Sequence, residues 1–140
     1  MHLTRHPLDV NDLLAAVHGP ERGGTCVFTG TVRNDGDVTG IEYSAYEAMA
    51  FGEIARILGE AHEKWADARV MLQHRLGLIP VGEASIAIAA AAPHRDDAFR
   101  ACRFVIEEVK KRLPVWKKEH HVDGTTAWVD PSGKPVAHGP

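Results

Sequence analysis

The segment Glu83–Ala91, EASIAIAAA, constrains the fold more than any other part of the chain. Its small and β-branched side chains read as a strand buried on both faces, because short side chains let neighbouring layers approach from either side. The apolar run Ala84–Pro93 holds about ten residues, half of what a membrane-spanning helix requires. Pro93 ends the strand, and His94–Leu113 carries the longest helical pattern, with Ala98, Phe99, Cys102, Val105, Ile106, Val109 and Leu113 in one apolar stripe. A central strand leading directly into an amphipathic helix requires a layered domain with helices laid on a sheet.

The remaining elements follow from periodicity and turn chemistry. Asp9 is placed to cap a short helix through Leu13, Leu14 and Val17, stopped by Gly19–Pro20. Gly24–Val32 and Ile41–Tyr46 read as strands, and the Asn34–Asp37 turn residues between them predict a hairpin. Ala48–Trp65 places Met49, Ile54, Ile57, Leu58 and Ala61 at helical spacing. Arg69–Leu76 is a strand with Val70, Leu72 and His74 on one side, and Gly77–Gly82 reads as a turn. Pro114 breaks the long helix. Val115–Val122 and Thr125–Val129 then form a hairpin around Asp123–Gly124. The order predicts an α+β domain with a mixed or antiparallel sheet and helices packed on one side. Residues 1–130 are expected to form this single domain, and residues 131–140 a loosely ordered tail.

Composition excludes several classes. With 44% hydrophobic and 25% charged residues the chain is neither disordered nor fibrous. The N-terminus has no apolar core of a secretory signal, so a soluble, cytoplasmic protein is expected. Cys26 and Cys102 read as two small buried hydrophobes in a reducing compartment. A pI near 6.3 argues against bulk nucleic-acid binding. The net charge of −3 nevertheless hides a split: residues 94–121 hold eight basic and five acidic groups, a local excess of three positive charges.

That stretch contains most of the candidate chemistry. His94 and Arg95 stand at a helix start, where unpaired N–H groups and the helix dipole favour an anion such as phosphate. Lys110 falls about 80° from the centre of the apolar stripe. At that border it is either a lysine of lowered pKa, able to act as nucleophile or proton carrier, or a snorkelling lysine covering the core edge. Strand alternation puts Lys117 and Glu119 on one face of the following strand, opposite Trp116 and Lys118. Thr31, Val32 and Arg33 end the first long strand, where binding groups are commonly displayed. No histidine spacing of a metal site, no phosphate-binding glycine loop and no nucleophile elbow is present.

Taken together, FTGTVRN (28–34), IEYSAYEAMA (41–50), HRLGLIPVGEASIAIAAAAPHRDDAF (74–99) and VKKRLPVWKKE (109–119) resemble the MoaE family, the large catalytic subunits of molybdopterin synthase. The resemblance covers about residues 5–130. It implies an α/β hammerhead-type fold and a homodimer that binds a ubiquitin-like sulfur carrier of the MoaD type at each end. It also implies transfer of two sulfurs from the carrier's C-terminal thiocarboxylate to cyclic pyranopterin monophosphate, with no metal and no cofactor. By position, Lys110 and Lys117 match the catalytic lysines. Thr31, Val32, Arg33, His94, Arg95, Lys118 and Glu119 match the substrate-binding segments. Two departures bear on binding: Asn34–Thr39 is short for the family, and Thr31 stands where a basic residue is common. The competing reading is a dimeric module that docks a ubiquitin-like tail or an anion without reacting it.

Overall fold

A computed structural model describes residues 2–130 and 134–139. The elements are β1 (Leu3–Thr4), α1 (Val10–Val17), β2 (Gly24–Thr31), β3 (Val38–Ala45), α2 (Glu47–Lys64) and β4 (Arg69–Arg75). They continue with β5 (Gly77–Pro80), β6 (Ala84–Ala92), α3 (Arg95–Arg112), β7 (Val115–His121), β8 (Thr126–Val129) and β9 (Pro135–Val136). The α+β class holds, built from two sheets. A four-stranded mixed sheet runs β1-β4-β6-β2 and a five-stranded antiparallel sheet runs β5-β3-β7-β8-β9.

The alanine-rich strand is central, as its composition requires: β6 pairs with β2 on one edge and β4 on the other, and is buried from Ser85 to Ala92. Its two faces pack differently. Ala87, Ala89 and Ala91 meet Leu13 and Val17 of α1, whereas Ile88, Ala90 and Ala92 join the main core with α2 and α3. Helices therefore cover both faces of this sheet, not one as expected. The Asp9 carboxylate caps α1 by accepting the Asn11 N–H at 2.9 Å.

α3 approaches so closely that a Cβ at Gly24 would stand 2.9 Å from the backbone N and Cα of Arg95. This contact explains why the buried face of α3 is made of Ala98, Ala101, Cys102, Val105 and Val109. Phe99, expected in the stripe, is 59% exposed beside Val27 and Phe28. Met49 is likewise 63% exposed, its place in the core taken by Ala50. The two thiols touch: Cys102 hydrogen-bonds Cys26, and burial, followed by the charge of Cys26, pushes the Cys102 thiol up to about 12.

Two turn expectations are corrected. Asn34–Asp37 does turn, with Gly36 at φ +88° and its N–H donated to Asn34 Oδ1 at 3.3 Å. It closes no hairpin, because β2 is committed to β6 while β3 pairs with β5 and β7, so the segment carries the chain between sheets. Gly77–Pro80 is a strand, not a turn. Gly77 at φ +95° swings the chain from β4 into the second sheet, opposite Tyr43. The hairpin at Asp123–Gly124 forms as predicted. Within residues 131–140, Pro135–Val136 pairs with β8, and residues 131–133 and 140 lie outside the described residues.

α2 and α3 are tied by Arg112, whose guanidinium binds Glu60 through two 2.8 Å contacts, Glu53 at 2.7 Å and Glu108 at 3.3 Å. Arg56 and then Arg112 hold the Glu53 carboxyl below its ordinary value, and Arg112 does the same for Glu60. Carboxylates with depressed folded pKa values stabilise the fold above their unfolded value of 4.5, and that contribution is lost as pH falls through the depressed values. Thermal denaturation followed against pH should therefore show wild type losing Tm more steeply below pH 4.5 than Arg112→Met, which starts lower. Parallel curves would show that the cluster contributes nothing to acid stability.

Candidate functional site

Where the two sheets meet, the end of β2 crosses toward the second sheet, the C-terminal turn of α3 arrives from one side and β7 from the other. The Val32 N–H donates to Glu83 O at 3.0 Å and Val32 O accepts from Gly82 at 2.8 Å, which extends the pairing past β2 and fixes the exit direction of Arg33. Leu113 caps α3 through its N–H to Val109 O at 3.0 Å, and Val115 N–H bonds Leu113 O at 2.9 Å. Helix and strand are thus joined by Leu113–Pro114 alone, and that junction sets Lys117 relative to Lys110.

A pocket of about 350 Å³ opens at this place, lined by Thr31, Arg33, Tyr43, Lys110, Lys117 and Glu119 among others. Val32 also borders it, but its side chain is 2% exposed and belongs to the core. Strand alternation works as predicted on β7: Lys117 and Glu119 share the pocket face. Lys118, expected to bind substrate, lies outside the pocket lining, with its ammonium 5.5 Å from the centre of the Trp128 ring on β8, its direct cross-strand neighbour.

The desolvated lysine is Lys117. It is half-buried, its Nζ stands 5.9 Å from the centre of the Tyr43 ring, and burial lowers its pKa, followed by the charges of Lys110 and Arg33 and opposed by Glu119. Lys110, for which the helix-edge position predicted desolvation, is exposed. The helix turn lifts it to the rim, whereas Lys117 enters from a strand directly over a buried Tyr43. Glu119 Oε1 lies 3.3 Å from His121 Nε2, and Arg33 stands 3.6 Å from Asp35 at a largely exposed position.

His94 and Arg95 are not brought to this pocket within one chain. They sit exposed at the N-terminus of α3. Fifteen residues at 1.5 Å per residue separate Arg95 from Lys110, about 22 Å along a rigid helix. His94 makes no side-chain capping bond, and Asp96 and Asp97 share its first turn.

Three pocket residues escaped the reading of the sequence: Tyr43, His74 and Ser85. With Lys110 and Lys117 they line a smaller chamber of about 40 Å³ adjoining the main pocket. One signal was available, since His74 interrupts the apolar side of β4 after Val70 and Leu72. His74 Nδ1 donates to Arg75 O at 2.9 Å. Burial pushes its pKa down to about 4, assisted by Lys110 and Lys117, so the ring is neutral at physiological pH. Among the described residues no three His, Cys, Asp or Glu side chains converge as a metal set, and no helix is long and apolar enough to cross a membrane.

Comparison with known proteins assigns this geometry a context. A family model described as "MoaE protein" matches residues 3–112. A molybdopterin synthase catalytic subunit 1 of Mycobacterium tuberculosis is 43% identical over 130 residues, covering 91% of this chain and 88% of the relative. The molybdopterin synthase catalytic subunit of Bacillus subtilis is 38% identical, covering 95% and 91%. Among solved structures, molybdopterin synthase from Staphylococcus aureus superposes with a TM-score of 0.86 at 33% identity, covering 91% of this chain and 94% of that one. A complex of subunits 1 and 2 of molybdopterin-converting factor from Helicobacter pylori shares the fold, with a TM-score of 0.78 at 21% identity.

Proposed function

Because the chain belongs to the MoaE protein family, we propose that it is the catalytic, sulfur-transferring subunit of a molybdopterin synthase. In this reading two sulfurs pass in succession from the C-terminal thiocarboxylate of a small ubiquitin-like carrier to cyclic pyranopterin monophosphate, giving the dithiolene of molybdopterin. The observation that carries it is the convergence of Arg33, Lys110, Lys117 and Glu119 on one pocket, with Lys117 desolvated. Arg33 offers a forked donor to the phosphate. Lys110 and Lys117 face the tetrahedral oxyanion that forms at the carrier's acyl carbon, where a preorganised cation in a partly dry pocket is worth most. A module that only docks a tail has no use for an ammonium held against its own desolvation cost.

His94 and Arg95 join this machinery from a second copy. The exposed Val27, Phe28 and Phe99 beside the start of α3 give a homodimer an apolar surface to bury next to that pair. The reaction belongs in the cytoplasm, where Cys26 and Cys102 remain thiols. The test is to incubate the protein with thiocarboxylated carrier and cyclic pyranopterin monophosphate and follow products by mass. Two sulfurs on the pterin and a carrier returned as carboxylate are expected. A protein that binds the carrier in native mass spectrometry and transfers nothing would establish the docking module instead.

A further inference from the structure

Sulfur transfer from a thiocarboxylate has two halves, and the second needs water. Once the carrier's sulfur is bonded to a pterin carbon, carrier and pterin are joined as a thioester. Release requires water to add to the acyl carbon: a C–O bond forms, the acyl C–S bond breaks, and the sulfur stays on the pterin. One proton of the water must be taken up and returned to the departing sulfur, and the carrier's new carboxylic acid ionises to solvent. Arg33, Lys110 and Lys117 bear only donors in their charged forms, and the pocket's two carboxylates are engaged, Glu119 by His121 at 3.3 Å and Asp35 by Arg33 at 3.6 Å.

The chamber beneath the lysines has the missing group. Its volume of about 40 Å³ exceeds the 10–15 Å³ or so that one water needs, and such a site must also supply two to four polar partners. Those partners are present and of the right kinds. His74 donates from Nδ1 to Arg75 O, which fixes the tautomer and leaves Nε2 as an acceptor. Ser85 Oγ donates its proton to Gly30 O at 3.3 Å, so the Tyr43–Ser85 hydrogen bond leaves the Tyr43 oxygen with lone pairs to spare. Lys110 and Lys117 supply donors. Two acceptors and a cationic donor match the two hydrogens and one lone pair of a single water.

Resting on the sulfur-transfer reading, we propose that this chamber positions the hydrolytic water and that His74 is a further catalytic residue, accepting that water's proton at Nε2 during carrier release. His74 is 5% exposed, its backbone N–H donates to the carbonyl of His2, just before β1, at 2.8 Å, and its ring meets Tyr43 edge-on with centroids 5.5 Å apart, so its position is fixed. The charged groups acting on it are Lys110 from α3 and Lys117 from β7. Burial, assisted by these two charges, keeps the imidazole unprotonated beforehand, and the charges drive the captured proton onward to the leaving sulfur, so His74 turns over without a lasting third positive charge.

Single-turnover reactions quenched and read by mass separate the carrier–pterin thioester from freed carrier carboxylate. His74→Asn keeps an amide donor for Arg75 O and removes the acceptor. It is expected to form the thioester at the wild-type rate and release the carrier about 10²-fold more slowly or worse, so that the conjugate accumulates. His74→Gln, whose amide oxygen can orient the water but cannot take up its proton, is expected to release the carrier as slowly as His74→Asn; recovery of the wild-type release rate in His74→Gln would overturn the proton-accepting role. Release at the wild-type rate in His74→Asn, or equal slowing of both halves, overturns the proposal. Should His74→Asn fail to fold, Tyr43→Phe, which removes one acceptor from the same chamber, is judged by the same two rates. Wild-type protein that never forms the conjugate would refute the sulfur-transfer reading itself, a separate outcome.

Discussion

Lys117→Met is expected to lose dithiolene formation by about 10²–10³-fold, the usual loss when one oxyanion-stabilising donor is removed, without losing stability. The two halves of that result come from one fact. The folded protein holds the Lys117 ammonium among buried surface, Lys110 and Arg33, all of which lower its pKa from 10.5. A lysine whose folded pKa lies below its unfolded value destabilises the fold when protonated, and the penalty is relieved as pH rises toward 10.5. At neutral pH the wild type therefore carries a cost that methionine, of similar length, does not. The Tm of Lys117→Met should equal or exceed that of wild type at pH 7, and the difference should shrink in alkaline buffer. Lys110→Ala loses transfer to a similar degree with an unchanged Tm, because its side chain is exposed. Steady-state turnover and a melting curve on each variant decide the matter. A Lys117→Met protein that melts well below wild type would assign the lysine to the structure of the fold.

Ile88→Ala should be among the most damaging single changes to stability. Ile88 is fully buried at the middle of β6, opposite Phe28 on β2 and Leu72 on β4, in the cluster that receives α2 and α3. On its own face of the strand it stands between Ile86 and Ala90, and the alanine has no length to spare for filling the space. Removing its side chain is expected to cost about 2–5 kcal/mol, at the upper end where surroundings cannot collapse. That is a large part of the total stability of an ordinary domain, and a fall in Tm of roughly 10 °C or more follows. Ala89→Gly, which leaves no comparable cavity, serves as the control in a denaturant titration. An Ile88→Ala protein within experimental error of wild type would mean that the layers do close over the gap.

Local chemistry was legible in the sequence where one residue type admits one answer. The alanines of β6 could only be a strand squeezed from both sides, Asp9 could only cap, and alternation along β7 put Lys117 and Glu119 together. What escaped was long-range. Nothing local in Asn34–Asp37 distinguishes a hairpin from a crossing between sheets, since both need the same turn, and the choice lies with strands distant in sequence. Helical spacing placed Phe99 in a stripe whose true width is set by the backbone contact at Gly24. The candidate site divides in the same way. The family motifs named its lysines, but which of them is desolvated depends on Tyr43, which belongs to another strand. His94 and Arg95 show the limit most plainly, because a position at a helix start says nothing about how far that end lies from the residues at the helix's other end.

The Leu113–Pro114 junction has a consequence for how this chain can vary in length. Lys110 is carried by a helix resting on one sheet and Lys117 by a strand of the other, and these two residues are all that separates α3 from β7. One residue inserted or deleted there shifts the β7 pairing by one place, which turns every side chain to the opposite face. Lys118 would then enter the pocket and Lys117 would turn toward Trp128. The tip at Asp123–Gly124 lies beyond the pairing that orients Lys117, so length there is free to drift. Natural indels in this part of the chain should accumulate at the hairpin tip and be absent from the junction, which acts as a ruler for the spacing of Lys110 and Lys117.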